Sequence, residues 1–142
     1  MFNLMLLKDD EVRKYIREKG IKHFRAEEFR CKHCGKILIH NSLIDILEEL
    51  REHLKKPVII TSAYRCKVHN KRIGGVPNSA HVKGYAVDVK ASNSKDRHKI
   101  LSFLLSKGIK RIGIARSFIH FDLDPEKPQN VVWLYGKKKH VA

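Results

Sequence analysis

The segments Ser79-Ala80-His81-Val82-Lys83-Gly84-Tyr85-Ala86-Val87-Asp88 and Ser117-Phe118-Ile119-His120-Phe121-Asp122 put titratable side chains where β-strands would otherwise alternate quietly. In the first, Tyr85, Val87 and Val89 alternate with Ala86, Asp88 and Lys90. That period predicts a strand with one apolar face and one face carrying a carboxylate. In the second, Ile119, Phe121 and Leu123 fall on one face and Phe118, His120 and Asp122 on the other. If the two strands pair, Asp88 and His120 face a common point. His81 lies just before the first strand, and Gly84 lets the chain turn so that the imidazole reaches the same point.

Two imidazoles and one carboxylate form a borderline-soft donor set that suits Zn²⁺, and three protein ligands leave a fourth position for water. Such an open site is catalytic rather than structural, and the reaction class it supports is metal-assisted hydrolysis. Taken singly, each residue has an ordinary reading: a hydrogen-bonded or surface histidine, or an aspartate in a turn or ion pair.

The rest of the 142-residue chain reads as one domain around one core. Asp9 to Lys19 carries Val12, Tyr15 and Ile16 at helical spacing and stops at Gly20. Asn41 to Lys55 carries a stripe of Leu43, Ile46, Leu47, Leu50 and Leu54, with Asn41 or Ser42 as N-cap and Pro57 as terminator. Val58-Ile59-Ile60 reads as a buried strand running into a loop, and Lys67 to Ile73 as a short helix before Gly74-Gly75. Ser94 caps a helix from Lys95 to Lys107, and strands are expected near Arg111 to Ala115, Phe118 to Leu123 and Val131 to Tyr135. His23 to Lys36 has no periodicity and is expected to be a loop or knuckle whose order depends on something other than a core face. The predicted architecture is α+β, with helices on one face of a small antiparallel or mixed sheet and the site on the other. Residues 1–28 form an N-terminal helical extension and 136–142 a basic tail.

The formal charge is +15, from 30 Lys and Arg against 15 Asp and Glu, which implies attraction to anionic surfaces: cell-wall polymer, nucleic acid or lipid head groups. The apolar start, Met1 to Leu7, lacks the basic region and cleavage site of a secretory signal, and no run approaches the length that spans a bilayer. A soluble product made in the cytoplasm is expected, and a monomer.

Thr61-Ser62-Ala63-Tyr64-Arg65, Asn70, Gly74 to His81, Gly84, Ala86, Asp88 and Ile119-His120-Phe121-Asp122 together resemble the zinc D-alanyl-D-alanine carboxypeptidase family. That family includes phage L-alanyl-D-glutamate peptidases and shares its fold with the amino-terminal signalling domain of hedgehog proteins. The likeness runs from about Phe29 to Tyr135. It implies that His81, Asp88 and His120 hold zinc and that Arg65 binds the substrate's carboxylate through its planar fork. Ser62 and Ser79 then orient the loop and the first ligand around the metal and its substrate. One departure concerns the catalytic base. Where many relatives carry His, or Glu or Asp, the sequence has Phe118 and Ser117, so Asp122 becomes the candidate base, against an orienting or structural role.

Cys31-Lys32-His33-Cys34 and Cys66-Lys67-Val68-His69 are two hooks that account for all three cysteines. Cys31, Cys34, Cys66 and His69 make the Cys₃His set of a second, structural zinc, with His33 able to replace His69. A disulfide with one spare thiol and plain thiols are the other readings. The leading function is a zinc peptidase acting on peptidoglycan stem peptides, D,D-carboxypeptidase first and L-alanyl-D-glutamate endopeptidase second. It would be a phage or prophage lysis enzyme that meets the anionic wall after release. The alternative is a zinc-binding wall or structural module without turnover. Nucleic-acid binding rests on charge and Cys31 to Cys34 alone and is set aside.

Overall fold

In the computed structural model, which describes residues 5–136, strands β4 (Ala86–Lys90) and β6 (Phe118–Asp122) pair antiparallel, with Asp88 opposite His120. Strands β3 (Ile60–Ser62), β5 (Arg111–Ile114) and β7 (Val131–Leu134) complete a five-stranded sheet in the order β3-β4-β6-β5-β7. Only β5 and β7 run parallel, so the sheet is mixed. Register lines up Ser62, Asp88, His120, Gly113 and Trp133 in one row across all five strands.

The two-residue period sends Val87, Val89, Ile112, Ile119 and Phe121 to the opposite face, where they join one apolar cluster with α2 (Asn41–Leu54) and α4 (Ser94–Ser106). Leu43, Leu47 and Leu50 of α2 and Leu104 of α4 are wholly buried there, each burial worth about 1.5–3 kcal/mol. Helices on one face and polar chemistry on the other is the α+β arrangement that the alternation predicts.

Helix boundaries follow local chemistry. Helix α1 (Asp9–Lys19) ends at Gly20, whose φ of 66° is the left-handed cap conformation. For α2 the cap is His40, one residue upstream of Asn41: its Nδ1 accepts from the Ser42 N–H at 3.1 Å. The helix closes on Lys55, itself left-handed at φ 57°, before Pro57 is reached. Asn93, not Ser94, caps α4 by accepting from the Asp96 N–H at 2.8 Å. The strand expected at Val58 to Ile60 begins only at Ile60 and extends through Ser62. Short α3 (Lys67–Arg72) is capped by Cys66.

Two elements have too few residues to show a period. Strands β1 (Leu6–Lys8) and β2 (Leu38–His40) form a separate two-stranded antiparallel sheet. The segment from His23 to Lys36 contains a 3-10 turn at Ala26–Phe29, and Phe24, Ala26 and Phe29 are buried in the main cluster. Its order therefore does draw on the core, against the expectation; isolated apolar residues anchor it without a repeating pattern. Leu7 and Val12 belong to the same cluster. From Lys137 onward the expected basic tail lies outside the described residues. Among the described residues, no helix is long and apolar enough to cross a membrane.

Candidate active site

One ligand atom each from His81, Asp88 and His120 lies within 4.8 Å of the others, and all three residues are buried. Sheet register supplies Asp88 and His120. His81 sits in the turn before β4, where its N–H is held by Ser79 Oγ at 3.2 Å and its carbonyl accepts from the Arg65 N–H at 3.3 Å. Gly84 closes that turn with φ 81°, and a Cβ there would stand 2.9 Å from the Leu38 carbonyl oxygen, so backbone conformation and packing both require glycine.

For His81 a hydrogen bond fixes which ring nitrogen carries the proton. The Ala63 carbonyl can only accept, so His81 Nδ1, 2.7 Å away, is the donor and Nε2 is left with a lone pair. His120 stands between two carboxylates, with Nε2 2.6 Å from Asp122 Oδ2 and Nδ1 2.8 Å from Asp88 Oδ1, so each of its nitrogens has an acceptor to which it can donate. His81 Nε2 and His120 Nδ1 face the same oxygen, Asp88 Oδ1, at 3.1 and 2.8 Å. Two ring nitrogens and a carboxylate oxygen that converge in a buried site can be joined by protons, as hydrogen bonds, or by one metal cation. The donor set, with each outer N–H tied to an oxygen, fits zinc.

Burial opposes charge on Asp88, but the adjacent His81 and His120 outweigh it and hold the carboxyl well below the ordinary range. Burial pushes His81 down, towards the neutral form that ligates metal. For His120 the burial penalty is overcome by its bonds to Asp122 and Asp88, and its pKa is raised. Asp122 is lowered: burial acts against this, and the bonds to His120 and the Asp124 N–H, with the Arg111 charge, prevail.

Asp122 is thus heavily engaged. It accepts from His120, from Arg111 Nε at 2.7 Å and from the Asp124 N–H at 3.0 Å. Arg65 is 2% exposed: Nε reaches Ser62 Oγ at 3.0 Å, Nη1 reaches Asn70 Oδ1 at 3.2 Å, and Nη2 lies 3.5 Å from Asp88 Oδ2. Ser62 therefore touches Arg65, while Ser79 holds the backbone of His81.

A cleft of about 350 Å³ opens over His120, lined among others by Ser79, Arg111, Asp122, Lys127, Trp133 and Tyr135. The Trp133 ring packs on His120 with centroids 5.4 Å apart, and the Arg111 guanidinium lies 4.9 Å from the Trp133 ring centre. Gly113 makes room: a Cβ there would come within 2.6 Å of the indole. The Tyr135 hydroxyl is buried beside the Trp133 indole, and burial, with the charge of Asp88, raises its pKa against the opposing Trp133 contact. Arg111, Lys127, Trp133 and Tyr135 escape a reading of the sequence. Alternation in β7 shows that Val131, Trp133 and Tyr135 share a face, but only the parallel pairing with β5 shows what that face covers.

Of the second predicted set, Cys31, Cys34 and Cys66 come together and the His69 imidazole does not join their group. The sulfurs of Cys31, Cys34 and Cys66 lie within 4.8 Å of one another, as free thiols. His33 Nδ1 is 3.5 Å from Cys66 Sγ, whereas His69 meets that sulfur through its backbone N–H at 3.4 Å and stacks its ring on His33.

A mixed sheet with helices on one face carries, on the other, a buried His-Asp-His set that could hold a metal ion beneath a cleft, and the family match makes the class a metallopeptidase. The chain belongs to the peptidase M15 family, zinc peptidases of peptidoglycan, whose family model matches residues 11–122. No curated protein matches the chain.

Proposed function

We propose that the protein hydrolyses a peptide bond in peptidoglycan stem peptides, as a D,D-carboxypeptidase first and an L-alanyl-D-glutamate endopeptidase second. The observation that carries this reading is the convergence of His81 Nε2, Asp88 Oδ1 and His120 Nδ1 beside an open cleft. When bound there, zinc supplies a Lewis acid for a carbonyl and brings the pKa of water towards neutrality.

The chain's own residues supply the rest. Ala63 holds His81 in its ligating tautomer, and Asp122 would accept the Nε2 proton of His120 when Nδ1 ligates a metal. Saturated by three hydrogen bonds, Asp122 is better suited to orienting His120 than to taking a proton from water. Arg65, the expected carboxylate anchor and candidate catalytic residue, steadies Asp88 and can bind substrate only by turning its fork from Ser62 and Asn70. Lys127 and Arg111 line the cleft already and offer the positive charge that a stem-peptide carboxylate needs. The Tyr135 hydroxyl, which lines the cleft and faces an indole that can only donate to it, keeps its own proton for a substrate oxygen. The net charge of +15 favours the anionic wall, which suits a phage or prophage lysis enzyme released from the cytoplasm.

One observation favours the second reading, a zinc-binding module without turnover. Asp122 is the one carboxylate among the residues lining the cleft, and its oxygens are committed. The deciding experiment incubates zinc-loaded protein with purified peptidoglycan and with synthetic stem pentapeptide, and reads the products by mass spectrometry. Release of terminal D-alanine, lost in His120→Ala, is the expected result. A cut between L-alanine and D-glutamate would select the endopeptidase. Intact substrates with zinc-loaded protein would select the non-catalytic module.

A further inference from the structure

The hook residues of the 31–36 turn and of the start of α3 are remote in sequence, yet they meet. The turn is tightly built: the Cys31 N–H donates to the Lys36 carbonyl at 2.8 Å, the Gly35 N–H to the Cys31 carbonyl at 2.9 Å, and Gly35 takes φ 74°. Lys32 Nζ donates to the Thr61 carbonyl at 2.6 Å, which draws the turn to the end of β3.

The sulfurs are surrounded as ligands are. Cys31 Sγ accepts from the backbone N–H of His33 at 3.4 Å and of Cys66 at 3.3 Å, and Cys66 Sγ accepts from the His69 N–H at 3.4 Å. Amide hydrogens aimed at sulfur stabilise negative charge on it, the state that binds metal. Tetrahedral zinc with Zn–S bonds of about 2.3 Å holds its sulfurs about 3.8 Å apart. The three thiols, all within 4.8 Å of one another, can reach that spacing with small side-chain adjustments. A disulfide would use two sulfurs and leave the third beside them. His33 Nδ1 lies 3.5 Å from Cys66 Sγ, outside the three-thiol group, and a side-chain rotation would bring it to the fourth position.

We infer that Cys31, Cys34, Cys66 and His33 form a closed structural zinc site that clamps the 31–36 turn to the N-terminus of α3. Cys66 directly follows Arg65, whose guanidinium reaches Asp88, so the clamp also fixes the segment that supports this carboxylate of the His-Asp-His set. The inference is independent of whether the His-Asp-His site turns over substrate.

The test uses the full chain loaded with cobalt(II) in place of zinc. Thiolate ligands give an intense sulfur-to-cobalt charge-transfer band in the near ultraviolet, which the sulfur-free His81, Asp88, His120 site cannot produce. The expected result is that band in wild type and undiminished in His120→Ala, with about two zinc ions per chain in zinc-loaded wild type by elemental analysis. Cys34→Ser should weaken the band and lose one zinc, and His33→Ala should alter the band. Alkylation of wild type should label the thiols only after chelation, which keeps the inference testable if the cysteine variants do not fold. Absence of the band in folded wild type, or a disulfide in its mass spectrum, would overturn the site. A band changed by His69→Ala and untouched by His33→Ala would overturn the assignment of His33.

Discussion

The His-Asp-His set and the three-thiol cluster both bring ligating side chains together, but by different means. Asp88 and His120 are placed by the hydrogen-bonded register of adjacent central strands, and all three ligands are buried. The thiols come from a turn and a helix cap, and they range from buried Cys31 to exposed Cys34. A ligand on a paired strand cannot shift without breaking the sheet, so its geometry exists before metal arrives, as an open site doing chemistry requires. A ligand on a turn is held by a few local bonds, and there the ion itself becomes part of what orders the chain. The contrast predicts that disturbances of the sheet face reach the first site and spare the second.

The largest effect is expected for Asp122→Asn. The amide can still accept from His120 Nε2, but the charged pairing with both His120 and Arg111 is lost. Removing such an orienting carboxylate costs roughly 10–100-fold in metal affinity or activity. Competition with a chromogenic chelator should show that loss for one zinc alone, with the cobalt–thiolate band unchanged. Equal affinity in the variant would show that sheet register by itself is enough to hold His120.

Gly113→Ala comes next. Its new methyl would meet Trp133 Cε2 and Nε1 at 2.6 Å and Tyr135 Cε2 at 2.8 Å, so the indole must leave its place over His120. Overpacking of this kind costs about 1–3 kcal/mol, less where an edge-strand side chain can swing outward. A lower thermal midpoint with reduced turnover is expected, again with the thiol band intact. If the thiol band changed as well, the two regions would not be mechanically separate.

The sequence shows the first region better than the second, for a physical reason. Alternation in β4 and β6 reveals which residues share a face, and pairing of two such strands is enough to bring Asp88 to His120. Neither period nor spacing shows that the distal nitrogen of His120 meets Asp122, because these residues are two apart on one strand and their contact depends on side-chain rotation. Nor can it show that Arg65 turns inward to Asp88, since a guanidinium reaches either way from the same backbone. Cap residues mislead by one position at His40 and Asn93 because several neighbouring polar side chains can serve as caps. Trp133 and Tyr135 depend on a parallel edge pairing between β5 and β7, a long-range choice without a local signature. Phe24 and Phe29 reach the core from an irregular backbone, where no repeat exists to detect.

The smallest effect serves as a control outside both regions. Tyr15 on α1 donates to Asp45 Oδ1 on α2 at 2.7 Å, far from either cluster in the chain. Tyr15→Phe should cost about 1 kcal/mol at neutral pH and leave both metals and turnover unchanged. Its pH dependence has a definite sign. Burial, and then the bond and charge of Asp45, raise the Tyr15 pKa above its ordinary value of 10.0. A group raised in the folded state contributes fully below its unfolded pKa, and that contribution fades as pH climbs towards the folded one. Denaturant titrations should therefore give a constant stability gap between wild type and Tyr15→Phe from neutral pH to about 9, and a shrinking one above about 10. A gap that stayed level through the alkaline range would mean that the phenol is no harder to ionise in the fold than in the open chain.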